Sequence, residues 1–335
     1  MVGISEDTDT PPEARRQRPG PGTAVTLTVT DKHHIADDVA SLTLRHPDGD
    51  RLPDWTPGAH IDLILPDGTV RQYSLCGNRW DAYTYRVAVL REPEGRGGSA
   101  YLHDRLRPGD RLGVGGPRNH FPLAPSDAYV FIAGGIGITP LLPMIHQVQL
   151  LGLEWKLLYG GRTRHSMAFR EELVAAYGER VEVVPQDERG LLPLDQWLGT
   201  PRPGTKVYSC GPGPLLAAVE AAGADWAPYA LRSERFTAAD QGAPVRSTAF
   251  EVELRRSGRT VTVTPEITVL DAVRAAGVDV LSSCRQGTCG TCLTPVIDGR
   301  PDHRDAILTD RQRAADDCMF VCVSRSCGDR LVLDL

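Results

Sequence analysis

Apolar and polar positions change period several times along the chain, and each change predicts a different kind of element. Strand-like runs occupy AHIDLILPDGTV (59–70) and YTYRVAVL (83–90) in the first third. An apolar run, VFIAGG, then enters a glycine turn and continues as LLPMIHQVQLLG (141–152), which reads as strand, turn and helix. Further strands are predicted at EWKLLYGG (154–161), RVEVVPQ (180–186) and TKVYSC (205–210), with helical AFREELVAAYG (168–178) and PLLAAVEAAG (214–223) between or after them. Strands alternating with helices predict a parallel sheet of βα units. In the last third the period drops to two. AFEVELRRSGRTVTVTP (249–265) is a pair of alternating runs joined at SGR, a hairpin, and ITVLDAVRAAG (267–277) is a short amphipathic helix before a final strand, RLVLDL (330–335).

Length and composition narrow the classes. At 335 residues the chain exceeds one ordinary core of ~100 to 200 residues, so two or three domains are expected. The formal charge of −6 leaves no basic footprint for nucleic acid, and EARRQR near the start reads as a solvated tail. The N-terminal 22 residues are polar and rich in Pro and Gly, with no apolar core of a secretion signal, and are expected to be disordered. No window approaches the ~20 continuous apolar residues of a membrane span. A cytoplasmic protein is expected, in which clustered cysteines bind metal or do redox chemistry more often than they form disulfides.

Three of the eight cysteines fall within SCRQGTCGTC (283–292). Cys284, Cys289 and Cys292 are spaced C-x4-C-x2-C, and Cys322 follows at a distance, which is the plant-type spacing of a 2Fe-2S cluster. Zinc sites usually bring two short ligand pairs, and the second pair is missing here. Gly287 and Gly290 suit a backbone that wraps closely and aims N–H groups at sulfur. Cys318 and Cys327 flank Cys322, so the fourth ligand is less fixed than the first three.

Two other stretches carry candidate chemistry. Gly134, Gly135 and Gly137, followed by Thr139 and Pro140, put bare amides at a helix start, which suits a pyrophosphate; such turns also occur in α/β folds that bind no nucleotide. YGGRTR and SCGPGP would line the carboxyl edge of the same sheet, where such folds bind ligands. RQYSL (71–75) supplies a cation, an aromatic and a short donor, the three needs of a flavin's phosphate, ring and ring edge. Arg71 and Tyr73 would share one strand face, and Gly97, Gly98 and Ser99 precede a helical run that offers a second phosphate contact. Alone, RQYSL reads more readily as an ordinary barrel strand, and the balance reverses only beside the glycine turn and the cysteine loop.

RQYSL, GRGGS, PRNHFPL, GGIGITP, YSCGP, SERF and the cysteine spacing, in that order over about residues 23 to 335, resemble the phthalate dioxygenase reductase family. The resemblance implies a multidomain chain with an antiparallel β-barrel flavin domain, a ferredoxin reductase-like α/β parallel-sheet nucleotide domain and a C-terminal β-grasp plant-type ferredoxin domain. The expected boundaries are 23–124 for an FMN-binding barrel, 125–235 for the NAD(P)H domain, a linker at 236–247 and a 2Fe-2S domain at 248–335. Carried over by position, Arg71, Gln72, Tyr73, Ser74, Ala88, Val89, Leu90, Arg96, Gly97, Gly98, Ser99 and Thr139 would contact FMN. Gly134, Gly135, Gly137, Thr139, Pro140, Arg162, Arg164, Cys210, Gly211 and Pro212 would line the nicotinamide site, and Cys284, Cys289, Cys292 and Cys322 would hold the cluster.

The implied activity is NADH-dependent electron transfer. Hydride would pass to the flavin at the N5 edge, with Ser74 bonding that edge and Cys210 packing near the nicotinamide, and electrons would leave singly through the cluster to a terminal oxygenase, either a Rieske enzyme or a cytochrome P450. A monomer is expected, with no nucleic-acid or membrane partner. Two arginines in GGRTR stand where an acid would grip an adenine ribose, which favours NADPH, whereas the family favours NADH. GRGGS could also meet the pyrophosphate of FAD. The last domain, with 13 acidic and 11 basic side chains over residues 248–335, shows no acidic docking field. A diaphorase serving small acceptors, or a flavin and iron-sulfur redox sensor, are the alternatives; the sensor lacks a visible output domain. Loop hydrogen bonding is the simplest role for Asp302, His303 and Arg304, structural or surface roles for His33, His34, His103 and His120, and packing for Trp155, Trp197 and Trp226.

Overall fold

The computed structural model describes residues 24–95, 97–237 and 242–335, so the expected tail at 1–22, Arg96 and the middle of the linker lie outside the described residues. Three sheets follow one another along the chain. The first contains β1 (Val25–Ala36), β2 (Val39–Arg45), β3 (His60–Ile64), β4 (Val70–Ser74), β5 (Tyr85–Leu90) and β6 (Arg111–Arg118), in the order β4-β3-β6-β1-β2-β5. Neighbouring strands run antiparallel. A bridge from Leu75 to Val87 joins the two edges and closes the barrel. Closure leaves no open edge, and it encloses Leu27, Leu42, Leu44, Ile61, Leu63, Val87 and Val89, all without solvent exposure.

The second sheet is wholly parallel: β7 (Ala128–Gly134), β8 (Glu154–Gly161), β9 (Val181–Pro185), β10 (Thr205–Cys210) and β11 (Leu231–Glu234), ordered β11-β10-β7-β8-β9. β11 comes from the SERF segment, too short and polar for periodicity to reveal. The strand order reverses at β7, so the crevice at the carboxyl ends of β7 and β10 is the topological switch point, where open α/β sheets bind ligands. Trp155 and Trp226 are buried on this sheet, as packing residues.

The third sheet holds β12 (Phe250–Leu254), β13 (Arg259–Val263), β14 (Leu293–Asp298), β16 (Cys318–Phe320) and β18 (Arg330–Leu333), ordered β13-β12-β18-β14-β16, with β12 and β18 parallel; β15 (Pro301–Asp302) and β17 (Arg325–Ser326) form a small separate pair. The helix Val269–Ala275 is capped by Thr268, whose hydroxyl accepts from the Asp271 N–H at 3.1 Å. The PDHRD segment fastens the second half of the linker: Asp302 accepts from the Val245 N–H at 3.0 Å, and Arg304 donates to the Gly242 carbonyl.

Barrel and parallel sheet share one core. Val39, Cys76, Ala88 and Phe121 of the barrel side pack in the same cluster as Ile138, Leu141, Met144 and Cys210. Among the described residues no helix is long and apolar enough to cross a membrane.

Candidate functional site

Strand alternation sorts the RQYSL residues. In the β3–β4 register Leu63 faces Arg71, Ile61 faces Tyr73, Asp62 faces Gln72 and His60 faces Ser74. Arg71 and Tyr73 therefore lie on the side of the barrel-core residues Ile61 and Leu63, as expected, and Gln72 and Ser74 lie on the opposite side with His60 and Asp62. A Cβ on Gly98 would fall 2.6 Å from Arg71 Nε, so the guanidinium stem rests directly on the backbone that opens the helix Gly98–Asp104. Gly97 turns the chain there at φ 79°, which favours glycine. Ser99 is partly committed: its hydroxyl accepts from the Glu92 N–H at 3.0 Å. Burial raises the Tyr73 hydroxyl above its ordinary pKa, so it remains a neutral donor. Ser74 is buried at the rim.

Three placements differ from the sequence reading, and a fourth residue, Arg96, lies outside the described residues. Gln72 turns its amide to Asp62 Oδ1 at 3.0 Å and Ser283 Oγ at 3.4 Å, because its strand face looks toward the cysteine loop. Val89 points into the barrel core, and only its neighbours Ala88 and Leu90 reach the seam with the parallel sheet. Thr139 is buried, and its hydroxyl donates to the Ile136 carbonyl at 2.9 Å within its own turn.

At the switch point two loops touch backbone to backbone. A Cβ on Gly137 would lie 2.2 Å from the Cys210 carbonyl oxygen, and one on Gly134 would lie 2.8 Å from Pro212 Cδ. Gly135 adopts φ 54° with open space around it, and Gly211 sits against Gly134. Pro140 is buried in the first turn of the helix Ile138–Leu150. The Gly135–Gly137 turn also contacts β5, so the crevice opens on the barrel. Cys210 has no solvent exposure, and burial, with Glu234 adding to it, holds its thiol well above the usual value. It packs in the core shared with the barrel side.

Glu234, opposite Cys210 in the β10–β11 register, is the residue that sequence reasoning missed. Its Oε2 is closed to solvent and has no hydrogen-bond partner among the described residues, and burial raises its carboxyl to about 8. In the sequence it is only a lone acid in SERF, and nothing local marks it as a strand end.

The arginine pair at the end of β8 is only half free. Arg162 is exposed, whereas Arg164 donates Nε to Glu188 Oε1 at 3.0 Å and closes a second bond to Oε2. The Asp187 N–H donates to the Arg162 carbonyl at 3.2 Å, which brings two acids of the segment after β9 to the same corner.

All eight cysteines are unpaired. Cys284 neighbours Cys289, and Cys322 neighbours both Cys284 and Cys292. The N–H groups of Gln286 and Thr291 point at Cys284 and Cys289 sulfur at 3.2 and 3.5 Å. Gly287 and Gly290, at φ 70° and 73°, make the turns between them. Cys327 instead donates to the Pro301 carbonyl and Cys318 sits beside Asp317, so neither joins the group. Four thiols gathered from one loop and one later turn give the donor set that a 2Fe-2S cluster needs.

Comparison with known proteins agrees with this division. Three family models match: an oxidoreductase FAD-binding domain over residues 26–122, an oxidoreductase NAD-binding domain over 131–221 and a 2Fe-2S iron-sulfur cluster binding domain over 252–327. The chain is 46% identical to phenoxybenzoate dioxygenase subunit beta of Ectopseudomonas oleovorans, over 90% of this chain and 94% of that one. The solved structure of phthalate dioxygenase reductase, described as a modular structure for electron transfer from pyridine nucleotides to [2Fe-2S], superposes with a TM-score of 0.70 at 35% identity, covering 93% of this chain and 98% of that one. An intact type IV self-sufficient cytochrome P450 monooxygenase gives a TM-score of 0.87 at 45% identity, covering 96% of this chain; this chain spans 43% of that longer protein.

Proposed function

The chain belongs to the phthalate dioxygenase reductase family, and on that premise we propose that it is the NADH-dependent reductase of a terminal oxygenase. The observation that carries the proposal is that one chain holds a flavin-type rim, a nucleotide crevice and a four-thiol frame side by side. Each fits its group. The Arg71–Gly98 corner leaves no room for a Cβ but offers a cation and helix-start amides to a phosphate, as FMN needs. The Gly134–Gly137 and Cys210–Pro212 loops leave bare backbone for a dinucleotide, and the four thiols supply the donor set of a 2Fe-2S cluster. When bound, the flavin links two-electron hydride chemistry to single electrons, and the cluster stores one electron near ~−400 mV.

In this reading Arg71 and the Gly98–Ser99 amides anchor the flavin phosphate, and Ser74 donates at the ring edge. Cys210 excludes water beside the nicotinamide, and Glu234, whose carboxyl burial raises to about 8, closes that wall. Cys284, Cys289, Cys292 and Cys322 hold the cluster. The acceptor is proposed to be a Rieske oxygenase or a cytochrome P450, since relatives include reductase subunits of dioxygenase systems and a fused P450 monooxygenase. The eight unpaired cysteines support a reducing, cytoplasmic setting.

The test is the carrier set. Purified protein is expected to contain two irons, two acid-labile sulfides and one FMN, bleached fully by NADH under anaerobic conditions. Zinc in place of iron, or no flavin, overturns the proposal.

Nucleotide choice follows from Glu188. Its carboxylate both occupies Arg164 and would repel a 2'-phosphate, so NADH is preferred despite the arginine pair. In Glu188→Gln, kcat/KM with NADPH is expected to rise roughly five- to tenfold while that with NADH changes less than about twofold, a modest effect because the pair is part-exposed and screened. Unchanged selectivity in steady-state kinetics would move the determinant away from this pair.

A further inference from the structure

The PRNHFPL stretch (117–123) has no role in the carrier scheme, yet it touches all three domains. Arg118 lies 2.7 Å from Asp62 Oδ1. That carboxylate accepts from the Ser283 hydroxyl at 2.7 Å and the Gln72 amide at 3.0 Å. Asn119 donates to Thr56 Oγ1 at 2.7 Å and accepts from the Phe121 N–H at 2.9 Å, which fixes the stretch to the barrel. The His120 ring lies over the cysteine loop, where a Cβ on Gly290 would be 2.2 Å from its Nε2. Phe121 belongs to the core shared with the parallel sheet.

These contacts place the cysteine loop on one particular face of the barrel. Ser74 and Gln72 are two residues apart on the same strand face, about 7 Å along β4. His60, opposite Ser74, has its ring centre 5.9 Å from that of His120. A packed row from Ser74 through His60 and His120 thus ends at Gly290, while Ser283, held by Asp62, directly precedes Cys284. Asp62 is only 7% exposed, and a carboxylate so buried needs charged or hydrogen-bonding partners. Here Arg118 and Gln72 come from the barrel, and Ser283 comes from the last domain.

We propose that the Asp62–Ser283 hydrogen bond, backed by Arg118, is a docking latch that positions the cysteine loop on the flavin-side face of β3–β4 for electron transfer within the chain. Asp62 and Ser283 are positioning residues. One charge-assisted bond at a part-buried edge is strong enough to favour docking and weak enough to release the domain toward a partner. The proposal rests on the flavin and cluster reading above.

The experiment uses full-length holoprotein with Asp62→Ala, Ser283→Ala, both together, and Ser283→Thr, each with its iron content measured. In anaerobic stopped flow, flavin reduction by NADH and ferricyanide turnover are expected to stay at the unsubstituted rate, while bleaching of the cluster slows about tenfold in either alanine variant. The double variant is expected to be no slower than the singles, and Ser283→Thr to retain the normal rate. Amide exchange in oxidised protein without turnover is the second readout: protection across residues 281–292 should fall about tenfold in both single variants. Unchanged cluster bleaching with unchanged protection, additive losses in the double variant, or equal loss of flavin reduction would each overturn the latch. If the unsubstituted protein lacked flavin or cluster, the carrier reading would fall, and the exchange comparison would still decide whether Asp62 holds the loop.

Discussion

Replacing Cys322 with serine is expected to strip the cluster and stop one-electron delivery while the flavin half keeps working. Cluster iron is held by thiolates, and a serine hydroxyl at this position is a poor substitute. Loss of groups that merely support metal ligands costs ~10- to 100-fold in affinity, so loss of a ligand should exceed about a hundredfold. NADH-driven cytochrome c reduction should fall by at least that factor, and iron content should collapse with it. Ferricyanide turnover should remain within about twofold, because nothing in the barrel or the crevice depends on Cys322. Cys318→Ser and Cys327→Ser serve as comparison variants. Their thiols lie beside Asp317 and the Pro301 carbonyl and should leave iron content intact. If Cys318→Ser or Cys327→Ser loses the cluster and Cys322→Ser keeps it, the fourth-ligand assignment is wrong. Because Cys322 is buried beside Phe320 and Met319, the serine should also lower the melting temperature of the last domain.

The contrast among these three cysteines shows what spacing alone can decide. C-x4-C-x2-C is local, so the loop's purpose was legible from the chain, and the two glycines at its turns agree with it. The fourth sulfur comes from a turn after β16, and only the sheet brings it to Cys284 and Cys292. The same division holds elsewhere. Parallel strands and the glycine turn could be read from apolar runs, and the alternation of Arg71 and Tyr73 followed from strand geometry. Glu234 could not be placed, because its meaning lies in the β10–β11 register opposite Cys210 and not in its neighbours. In sequence Arg164 is one of two arginines suited to a 2'-phosphate, but Glu188, 24 residues later, holds it. His120 reads as a surface or structural residue in the sequence, and only the fold lays its ring on the cysteine loop. Pairings that cross between domains leave no period in the sequence.

Gly137→Ala is expected to produce the largest loss on the nucleotide side. The added methyl would lie 2.2 Å from the Cys210 carbonyl oxygen and 2.7 Å from the Gly211 N–H nitrogen, and both neighbours are backbone. Neither can swing aside as a flexible side chain would, so one of the two loops must move. Overpacking of this kind typically costs ~1 to 3 kcal/mol, which should appear as a lower melting temperature. The functional loss should be larger than the stability loss suggests, since both loops define where the nicotinamide ring rests, and a displacement of ~1 Å can cost ~100-fold in rate. Flavin reduction by NADH in single-turnover stopped flow should therefore slow by about two orders of magnitude. Flavin content and dithionite reduction of the cluster should be unchanged, because the barrel rim and the four cysteines lie elsewhere. Gly213→Ala is the matched comparison: it sits in the same CGPG loop with nothing within 4 Å of its added methyl and no positive φ, so it should react at nearly the unsubstituted rate. Equal loss in both variants would mean that the loop needs glycine for flexibility and not for close approach. Normal hydride transfer in Gly137→Ala would place the nicotinamide outside the crevice between β7 and β10.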